Sequence, residues 1–298
     1  MTRATKDQTW TTREILAWTT RHFTQHGLDS PRLDAELLLA DVFDAKRLHL
    51  YLDPDKPLTQ HERNRFKEHV RARLNGLSVA HIVGHREFWT YRFKTPPGVF
   101  VPRPETELIV ELVLDTWAAG ETFNLIDLCT GSGAVGICVL AERPDAHGVA
   151  VEVLSEVADV ARTNVLTNGV DSRLQIVHQD ARVFLNENTE LANCITCNPP
   201  YIPTSDLAGL SPEVSKYEPP EALDGGTDGL SLVAELVPDL SRNLAPGGWF
   251  FMEFDGAHQV DSIRNLLHLN GFGEIYFHND LAGIPRVVRA CYCRKASA

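Results

Sequence analysis

The sequence predicts an α/β protein with a doubly wound sheet of seven strands. The sheet is mostly parallel, and one of its seven strands is an antiparallel edge strand. A small α-helical bundle and a β-hairpin precede this sheet. Apolar residues recur at helical spacing through the first eighty residues, and short apolar strands alternate with amphipathic helices from Pro104 onward. Only a loop separates the last two strands, and so short a connection requires an antiparallel pair.

The helical segment, residues 1–80, is expected to fold as a domain of its own. Thr11 or Thr12 is placed to cap its first helix, and Thr59 and Glu62 have capping-box spacing at the start of a later one. This segment contains no acid–base constellation. We therefore interpret it as an N-terminal substrate-recognition domain, with a plain structural scaffold as the alternative.

Residues 81–101 are expected to form a β-hairpin linker, because aromatic residues between Phe88 and Phe93 alternate with polar ones. Pro96-Pro97-Gly98 is a turn signal at the junction with the next domain, residues 102–298.

In this last domain each predicted strand is a short apolar run bounded by turn residues, and each predicted helix has an apolar face. The predicted strands are Phe123–Leu128, Gly148–Val153, Leu174–His178, Cys194–Cys197, Trp249–Phe254, Glu274–Phe277 and Arg286–Cys293. The predicted helices are Glu105–Ala118, Ala134–Glu142, Glu156–Thr167, Leu230–Leu244 and Val260–Leu269.

Composition and charge narrow the possible functions. The chain has 298 residues, is 43% hydrophobic and carries a net charge of −12. Residues 1–98 have a balance of +4 and residues 99–298 one of −16. An acidic catalytic half repels phosphate backbones, so direct binding of nucleic acid is not expected. No apolar run of eighteen residues and no signal-peptide core occurs, and we expect a cytoplasmic monomer without membrane contact.

The six cysteines lie in apolar surroundings, as is usual for reduced thiols in a cytosolic protein. Cys194 and Cys197 have the spacing of half a zinc site, but no histidine lies nearby in sequence. Strand positions three apart also point to opposite faces of a sheet, so no metal site is expected.

Three consecutive strand ends carry residues suited to binding an adenosine-containing ligand. A glycine-rich turn after the first strand allows close approach of backbone N–H groups, and Glu152 ends the second strand, where a carboxylate can bind ribose hydroxyls. Asp180 ends the third strand, where its carboxylate can accept from an adenine amino group beside the Ala181 N–H. The predicted cofactor-binding residues are Cys129, Thr130, Gly131, Ser132, Gly133, Glu152, Asp180, Ala181 and Asn198. The glycine pattern also fits a dinucleotide fingerprint, so an NAD-dependent dehydrogenase remains an alternative at this point.

The sequence Asn198-Pro199-Pro200-Tyr201 follows the fourth strand, at the same edge of the sheet. A planar nitrogen group is a poor nucleophile because its lone pair is delocalised. The Asn198 side-chain oxygen and the Pro199 carbonyl can accept its N–H bonds, and the prolines hold those acceptors rigidly. Tyr201 can stack on the planar group. An ordinary Asn-Pro turn would explain the prolines but neither the tyrosine nor the location. All four residues are therefore predicted to be catalytic and to bind substrate.

These motifs resemble class I methyltransferases that act on planar nitrogen groups. Within that class, Pro102–Glu107 resembles the signature of the bacterial release factor glutamine N5-methyltransferases, the HemK or PrmC family. Tyr217–Leu223, Asp280–Gly283 and Arg286–Val288 are similar to further segments of this family.

The resemblance implies a Rossmann-like methyltransferase domain that uses S-adenosyl-L-methionine and releases S-adenosyl-L-homocysteine. It implies that the substrate is the glutamine of the Gly-Gly-Gln motif in class I peptide chain release factors. Phe100, Pro102 and Arg103 would line the pocket near the methyl donor and the substrate. Alternative functions are glutamine methylation of a ribosomal protein, adenine-N6 methylation of nucleic acid, and a non-catalytic binding module.

Two residues depart from the family pattern. Cys129 stands where the family usually has glycine, and Ala181 stands where an aromatic residue often stacks on adenine. Because cysteine tolerates a positive φ poorly, we expect Cys129 to have an ordinary negative φ, with Gly131 and Gly133 making the close approach.

Overall fold

The computed structural model describes residues 10–293, and this part of the chain divides into two compact units, one up to Gly84 and one from His85 onward. The five helices of the first unit's described residues are α1 (Thr12–Gln25), α2 (Pro31–Val42), α3 (His49–Leu52), α4 (Gln60–Leu74) and α5 (Val79–Val83). Capping boxes begin two of them, Thr11 with Glu14 at α1 and Thr59 with Glu62 at α4. The second of these boxes confirms the spacing read from the sequence.

The first unit has its own apolar core, and its interior also holds a buried carboxylate. Phe23, Leu38 and Leu39 are fully buried in that core. Glu36, only 2% exposed, accepts hydrogen bonds from Arg32, Arg47 and the Tyr51 hydroxyl. Because these donors compensate the buried charge of Glu36, we interpret this carboxylate as part of the packing of the first unit and not as a functional group.

In the second unit, a hairpin of β1 (His85–Phe88) and β2 (Tyr91–Lys94) precedes a seven-stranded sheet. The sequence-based domain limits assigned this hairpin to a linker. In the structure its Phe88 and Phe93 belong to the core of the second unit, and the Lys94 N–H donates to Asn164 Oδ1 at 2.7 Å.

The sheet comprises β3 (Asn124–Leu128), β4 (His147–Glu152), β5 (Leu174–His178), β6 (Ala192–Cys197), β7 (Leu244–Glu253), β8 (Phe272–Asn279) and β9 (Pro285–Tyr292). Their spatial order is β5-β4-β3-β6-β7-β9-β8, and all neighbours are parallel except those involving β9. The predicted seven-stranded, mostly parallel sheet is confirmed. The antiparallel strand lies one place inside the edge, because β8 pairs with β9 alone.

Helices cover both faces of this sheet. They are α6 (Glu107–Thr116), α7 (Ala134–Glu142), α8 (Ser155–Thr167), α9 (Ala181–Glu187), α10 (Pro212–Ser215), α11 (Ser231–Asn243) and α12 (Val260–Leu269). Side chains of α6, α7 and α8 share one apolar core with alternate strand residues, and those of α9, α11 and α12 share the other. The sheet is therefore buried on both faces, and its carboxyl edge is the place where loops can build a site.

Within the described residues, no helix is both long enough and apolar enough to cross a membrane.

Candidate active site

A large cavity opens at the carboxyl ends of β3, β4, β5 and β6, where the strand order reverses between β3 and β6. It encloses about 1130 Å³ of empty space, including its open mouth. Most of the predicted site residues line it: Phe100, Pro102, Cys129, Thr130, Gly131, Ser132, Glu152, Asp180, Ala181, Asn198, Pro199, Pro200 and Tyr201. Arg103 and Gly133 lie outside its lining.

The turn from β3 into α7 places every second residue in the left-handed region. Its φ values are 55° at Cys129, 58° at Gly131 and 86° at Gly133. The prediction of a negative φ at Cys129 was therefore wrong. The cause is the turn itself: the Thr130 N–H donates to the Val151 carbonyl of the adjacent strand at 3.0 Å, which fixes the backbone there. A non-glycine residue in this conformation costs about 1–2 kcal/mol.

The two glycines of this turn serve different needs. A Cβ on Gly131 would meet no heavy atom within 4 Å. The absence of a side chain therefore leaves the backbone at Gly131 accessible to a ligand. A Cβ on Gly133 would lie 2.9 Å from Ile137 Cδ1, and the φ of 86° would strain any other residue, so the backbone conformation favours glycine here.

The buried carboxylate of Asp127 holds the same turn from below. Its Oδ2 accepts from the Thr130 hydroxyl at 2.5 Å and the Gly136 N–H at 3.1 Å, and its Oδ1 accepts from the Thr196 hydroxyl at 2.7 Å. Burial raises the pKa of this carboxyl group, and these three hydrogen bonds oppose the rise. Asp127 therefore joins the turn, helix α7 and strand β6 through one side chain.

Glu152, at the end of β4, is 7% exposed and faces the cavity. Its carboxylate accepts from the Gly131 N–H at 2.9 Å and from the Leu154 N–H at 3.0 Å. Burial raises the pKa of Glu152, and the backbone hydrogen bonds oppose that rise. A carboxylate held by two backbone donors has a fixed direction and retains lone pairs for ribose hydroxyls.

Asp180 caps the short helix α9 and is bound by Arg182. The Arg182 side chain donates to Asp180 Oδ1 at 2.9 Å and to Oδ2 at 2.5 Å, and its remaining nitrogen donates to Glu235 at 2.7 Å. The hydrogen bonds from Arg182 lower the pKa of Asp180. Arg182, which shares the carboxylate predicted to bind an adenine amino group, was not identified from the sequence. Ala181 is the first residue of α9, where a backbone N–H has no partner within the helix.

The Asn198–Tyr201 loop is held on both sides. Asn198 Nδ2 donates to the Thr106 hydroxyl at 3.3 Å, and the Tyr201 hydroxyl donates to Glu253 Oε1 at 2.8 Å. Burial raises the pKa of the Tyr201 phenol well above its ordinary value. A Cβ at Gly229 would lie 2.1 Å from the Tyr201 carbonyl oxygen, so only glycine fits behind this loop. Thr106 lies in the Pro102–Glu107 segment that resembles the family signature, but no role was predicted for it, and Glu253 was not identified from the sequence.

The predicted substrate-side residues differ in their placement. Phe100 and Pro102 line the cavity, whereas Arg103 stacks on Phe100, with its guanidinium carbon 4.9 Å from the ring centroid. Arg103 also pairs with the buried carboxylate of Glu218 at 2.6 Å. Burial raises the pKa of Glu218, and the Arg103 charge opposes this rise. Arg103 therefore ties the segment before α6 to the Tyr217–Leu223 segment instead of facing the cavity.

Comparisons with known proteins match this chain to one family over nearly its whole length. The profile described as the PrmC N-terminal domain matches residues 14–84, and the methyltransferase small domain profile matches residues 90–208. The release factor glutamine methyltransferase of Caulobacter vibrioides is 35% identical over 92% of this chain and 94% of its own. That of Cereibacter sphaeroides is 37% identical over 89% of this chain and 92% of its own.

A solved structure, the delta-N METTL16 MTase domain, matches with a TM-score of 0.53 and 14% identity. The match covers 70% of this chain and 91% of that one, and it is a likeness of fold alone.

The sheet order, the glycine turn after β3 and the acidic residues that follow at β4 and β5 define a class I, S-adenosylmethionine-dependent methyltransferase. The glycine-rich turn therefore belongs to a methyltransferase and not to an NAD-dependent dehydrogenase. Within this class, the chain belongs to the release factor glutamine methyltransferase family.

Proposed function

We propose that this protein transfers a methyl group from S-adenosyl-L-methionine to the side-chain amide nitrogen of the Gly-Gly-Gln glutamine in class I peptide chain release factors. The observation that carries the proposal is the Asn198–Tyr201 loop, which lines the same cavity as the glycine turn after β3. An acceptor site for a planar amide therefore lies beside a site suited to adenosine. The names of the family relatives support the choice of substrate.

The donor half of the cavity fits S-adenosyl-L-methionine. Glu152 presents a fixed carboxylate to the ribose hydroxyls, and the open face of Gly131 allows the donor to approach the backbone. Asp180 and the Ala181 N–H complete an acceptor and donor pair for the adenine edge. The donor supplies an electrophilic methyl group on a sulfonium sulfur, so the protein has to supply orientation and hydrogen-bond acceptors.

In the acceptor half, Asn198 and Pro199 bind the amide N–H groups of the substrate glutamine. Because Asn198 Nδ2 donates to Thr106, its Oδ1 is left to accept from the substrate. The amide protons become more acidic as the nitrogen gains its fourth bond, and these acceptors then bind more strongly than in the ground state. The methylated nitrogen then loses its excess proton to water. Pro200 and Tyr201 hold the two acceptors, on Asn198 and Pro199, in place.

The first unit is proposed to read the protein substrate. A glutamine at a loop tip offers little surface, so selectivity requires contacts elsewhere on the partner. The first unit, residues 1–84, has a charge balance of +2, against −14 for residues 85–298, so it suits an acidic patch on that partner better than the second unit does. Such contacts mainly raise the association rate and weaken with salt.

A transfer assay with labelled methyl donor tests the proposal. We expect label in an intact release factor, and none in its Gly-Gly-Ala variant, in ribosomal proteins or in duplex DNA. A binding titration in parallel is expected to detect S-adenosyl-L-methionine and not NAD. Label in DNA or in a ribosomal protein, with none in the release factor, would contradict the proposed substrate.

A further inference from the structure

A buried glutamine behind the Asn198–Tyr201 loop has no role in the mechanism described above. Gln259 is 2% exposed and ends a single helical turn, Ala257–Gln259, directly before α12. It does not line the cavity itself. Burying an amide is costly unless its donors and its acceptor find partners. The partners of Gln259 therefore show what this residue does.

The Gln259 side chain joins three loops at the carboxyl edge of the sheet. Its Nε2 donates to the Tyr201 carbonyl at 3.3 Å and to the Asp228 carbonyl at 3.1 Å, and its Oε1 accepts from the Asp255 N–H at 2.9 Å. These partners belong to the loop after β6, the segment before α11 and the loop after β7. Because two partners are carbonyls and the third is an N–H, only this orientation of the amide satisfies all three.

Strand pairing explains why these loops meet. Strands β6 and β7 are parallel neighbours with Cys197 opposite Met252, so the residues that follow the two strands leave the sheet side by side. Tyr201 is held there at two points. Its hydroxyl donates to Glu253 Oε1 at 2.8 Å, and its carbonyl accepts from Gln259. The first bond holds the side chain of Tyr201, and the second holds its main chain.

The segment before α11 leaves little room for any other position of the Tyr201 carbonyl. A Cβ at Gly229 would lie 2.1 Å from that carbonyl oxygen and 2.5 Å from Gln259 Nε2. The same segment leads to Leu232, in the first turn of α11, which lines the cavity. The contact between Gln259 and Tyr201 is therefore closely packed and lies directly behind the acceptor half.

We infer that Gln259 is a positioning residue for methyl transfer, which fixes the far end of the Asn198–Tyr201 loop by its hydrogen bond to the Tyr201 carbonyl. The inference rests on the proposed function, because it concerns the acceptors that Asn198 and Pro199 present to the substrate amide. The two prolines make this loop stiff, so a shift at Tyr201 is carried to those acceptors. A misplacement of about 1 Å that originates away from the chemistry can cost about 10²-fold in rate.

The main test replaces the amide by a carboxylate of the same shape. Gln259→Glu keeps an acceptor for the Asp255 N–H, but an oxygen now faces the two carbonyls in place of the NH₂ group. We expect kcat to fall about 10–100-fold, because the acceptors of the loop are no longer held in place. The Kd for the donor and the KM for the release factor should stay within about threefold, since the donor half and the first unit are untouched.

Asn243→Asp is the matched control, because Asn243 is a buried amide with the same kind of partners. It is 1% exposed, and its Nδ2 donates to the carbonyls of Leu185 at 2.8 Å and Asp239 at 3.0 Å, all outside the cavity lining. This variant should lower the thermal midpoint about as much as Gln259→Glu does and leave kcat within about twofold of the wild type. Equal falls of kcat in the two variants would overturn the inference, because activity would then follow stability alone.

Gln259→Met is the milder change at the same position, since it keeps the length of the side chain and puts no charge in the interior. It provides the measurement if the carboxylate variant does not fold. Its kcat should also fall at least about tenfold, with the donor Kd unchanged, because the Tyr201 carbonyl again has no donor from this residue. A folded Gln259→Met protein with near-normal kcat would contradict the positioning role.

A spectroscopic readout does not depend on the substrate. The Ile202 N–H shares a peptide plane with the Tyr201 carbonyl, so its signal reports on the hydrogen bond that Gln259 donates. In full-length protein labelled with ¹⁵N-isoleucine, this signal, identified by its loss in Ile202→Val, should shift in both Gln259 variants and stay in place in Asn243→Asp. An unmoved Ile202 signal would overturn the inference. Absence of transfer by the wild type would instead contradict the proposed function, and the Ile202 signal would still decide whether Gln259 positions Tyr201.

Discussion

Two buried carboxylates, Asp127 in β3 and Glu253 in β7, organise the two halves of the site in different ways. Both lie near the carboxyl ends of their strands, at 2% and 1% exposure, and burial raises the pKa of each. Asp127 accepts from a backbone N–H and from two threonine hydroxyls that tie the donor turn to its surroundings. Glu253 accepts from the hydroxyl of Tyr201, a side chain that lines the acceptor half.

The two halves of the site differ in what must be held in place: the backbone of a turn in the donor half, and side chains in the acceptor half. In the proposed mode of binding, S-adenosyl-L-methionine approaches the backbone of the turn after β3, so that turn must be rigid. An amide nucleophile needs an acceptor with the correct hydrogen-bond direction, so side chains must be oriented. We therefore expect changes around Asp127 to affect donor affinity, and changes around Asn198 to affect turnover.

The largest effect is expected for Asn198→Ala, which removes the acceptor on the substrate side. Turnover should fall by about 10²–10³-fold, as when one positioned polar group is lost from an active site. The donor Kd, measured by calorimetry, should change little, because the turn after β3 is intact. A variant with near-normal kcat would refute the assigned role of Asn198.

A smaller effect on the other half is expected for Asp127→Asn. The amide has the same shape, but its NH₂ group can only face Thr196, because the Gly136 N–H on the other side cannot accept; the Thr196 hydroxyl must then reverse, and no bond to the carboxylate charge remains. Losing one charge-assisted hydrogen bond of about 1.5–3 kcal/mol should loosen the donor turn and weaken donor binding about tenfold. At saturating donor, kcat should stay within about twofold of the wild type. A lower kcat with unchanged donor affinity would reverse the proposed division between the two carboxylates.

The sequence predicted the architecture because periodicity and turn residues are local. Helix α7 and strand β5 have the predicted bounds, helix α8 begins one residue earlier than predicted, and helix α11 is one residue shorter at each end. The short helix α9 was not predicted, since seven residues are too few for a clear helical period.

The supporting residues of the site could not be predicted in the same way. Thr106 meets Asn198 across 92 residues of sequence, and Glu253 meets Tyr201 across 52. The second contact follows from the pairing of β6 with β7, and no local pattern in the sequence records either contact. The motif at Asn198 was visible because four adjacent residues carry it.

The smallest expected effect concerns Cys129, whose φ was predicted from its residue type to be negative and is positive in the structure. With φ at 55°, the cysteine stores about 1–2 kcal/mol that glycine would not. Glycine in turn loses more conformational entropy on folding, which costs about 0.5–1 kcal/mol. Cys129→Gly should therefore stabilise the protein by up to about 1 kcal/mol and raise its thermal midpoint by about 1–3 °C.

Cys129→Ala is the matched control for this change, because it removes the sulfur and keeps the strained backbone. It should show no gain in thermal midpoint, and the donor Kd of both variants should stay within about twofold of the wild type, since the main-chain path of the turn does not change. Equal midpoints for the glycine and alanine variants would mean that the turn around Cys129 stores no strain. Cys129 would then have the left-handed conformation at no greater cost than Gly131. The hydrogen bonds of Asp127 would be what keeps the donor turn rigid.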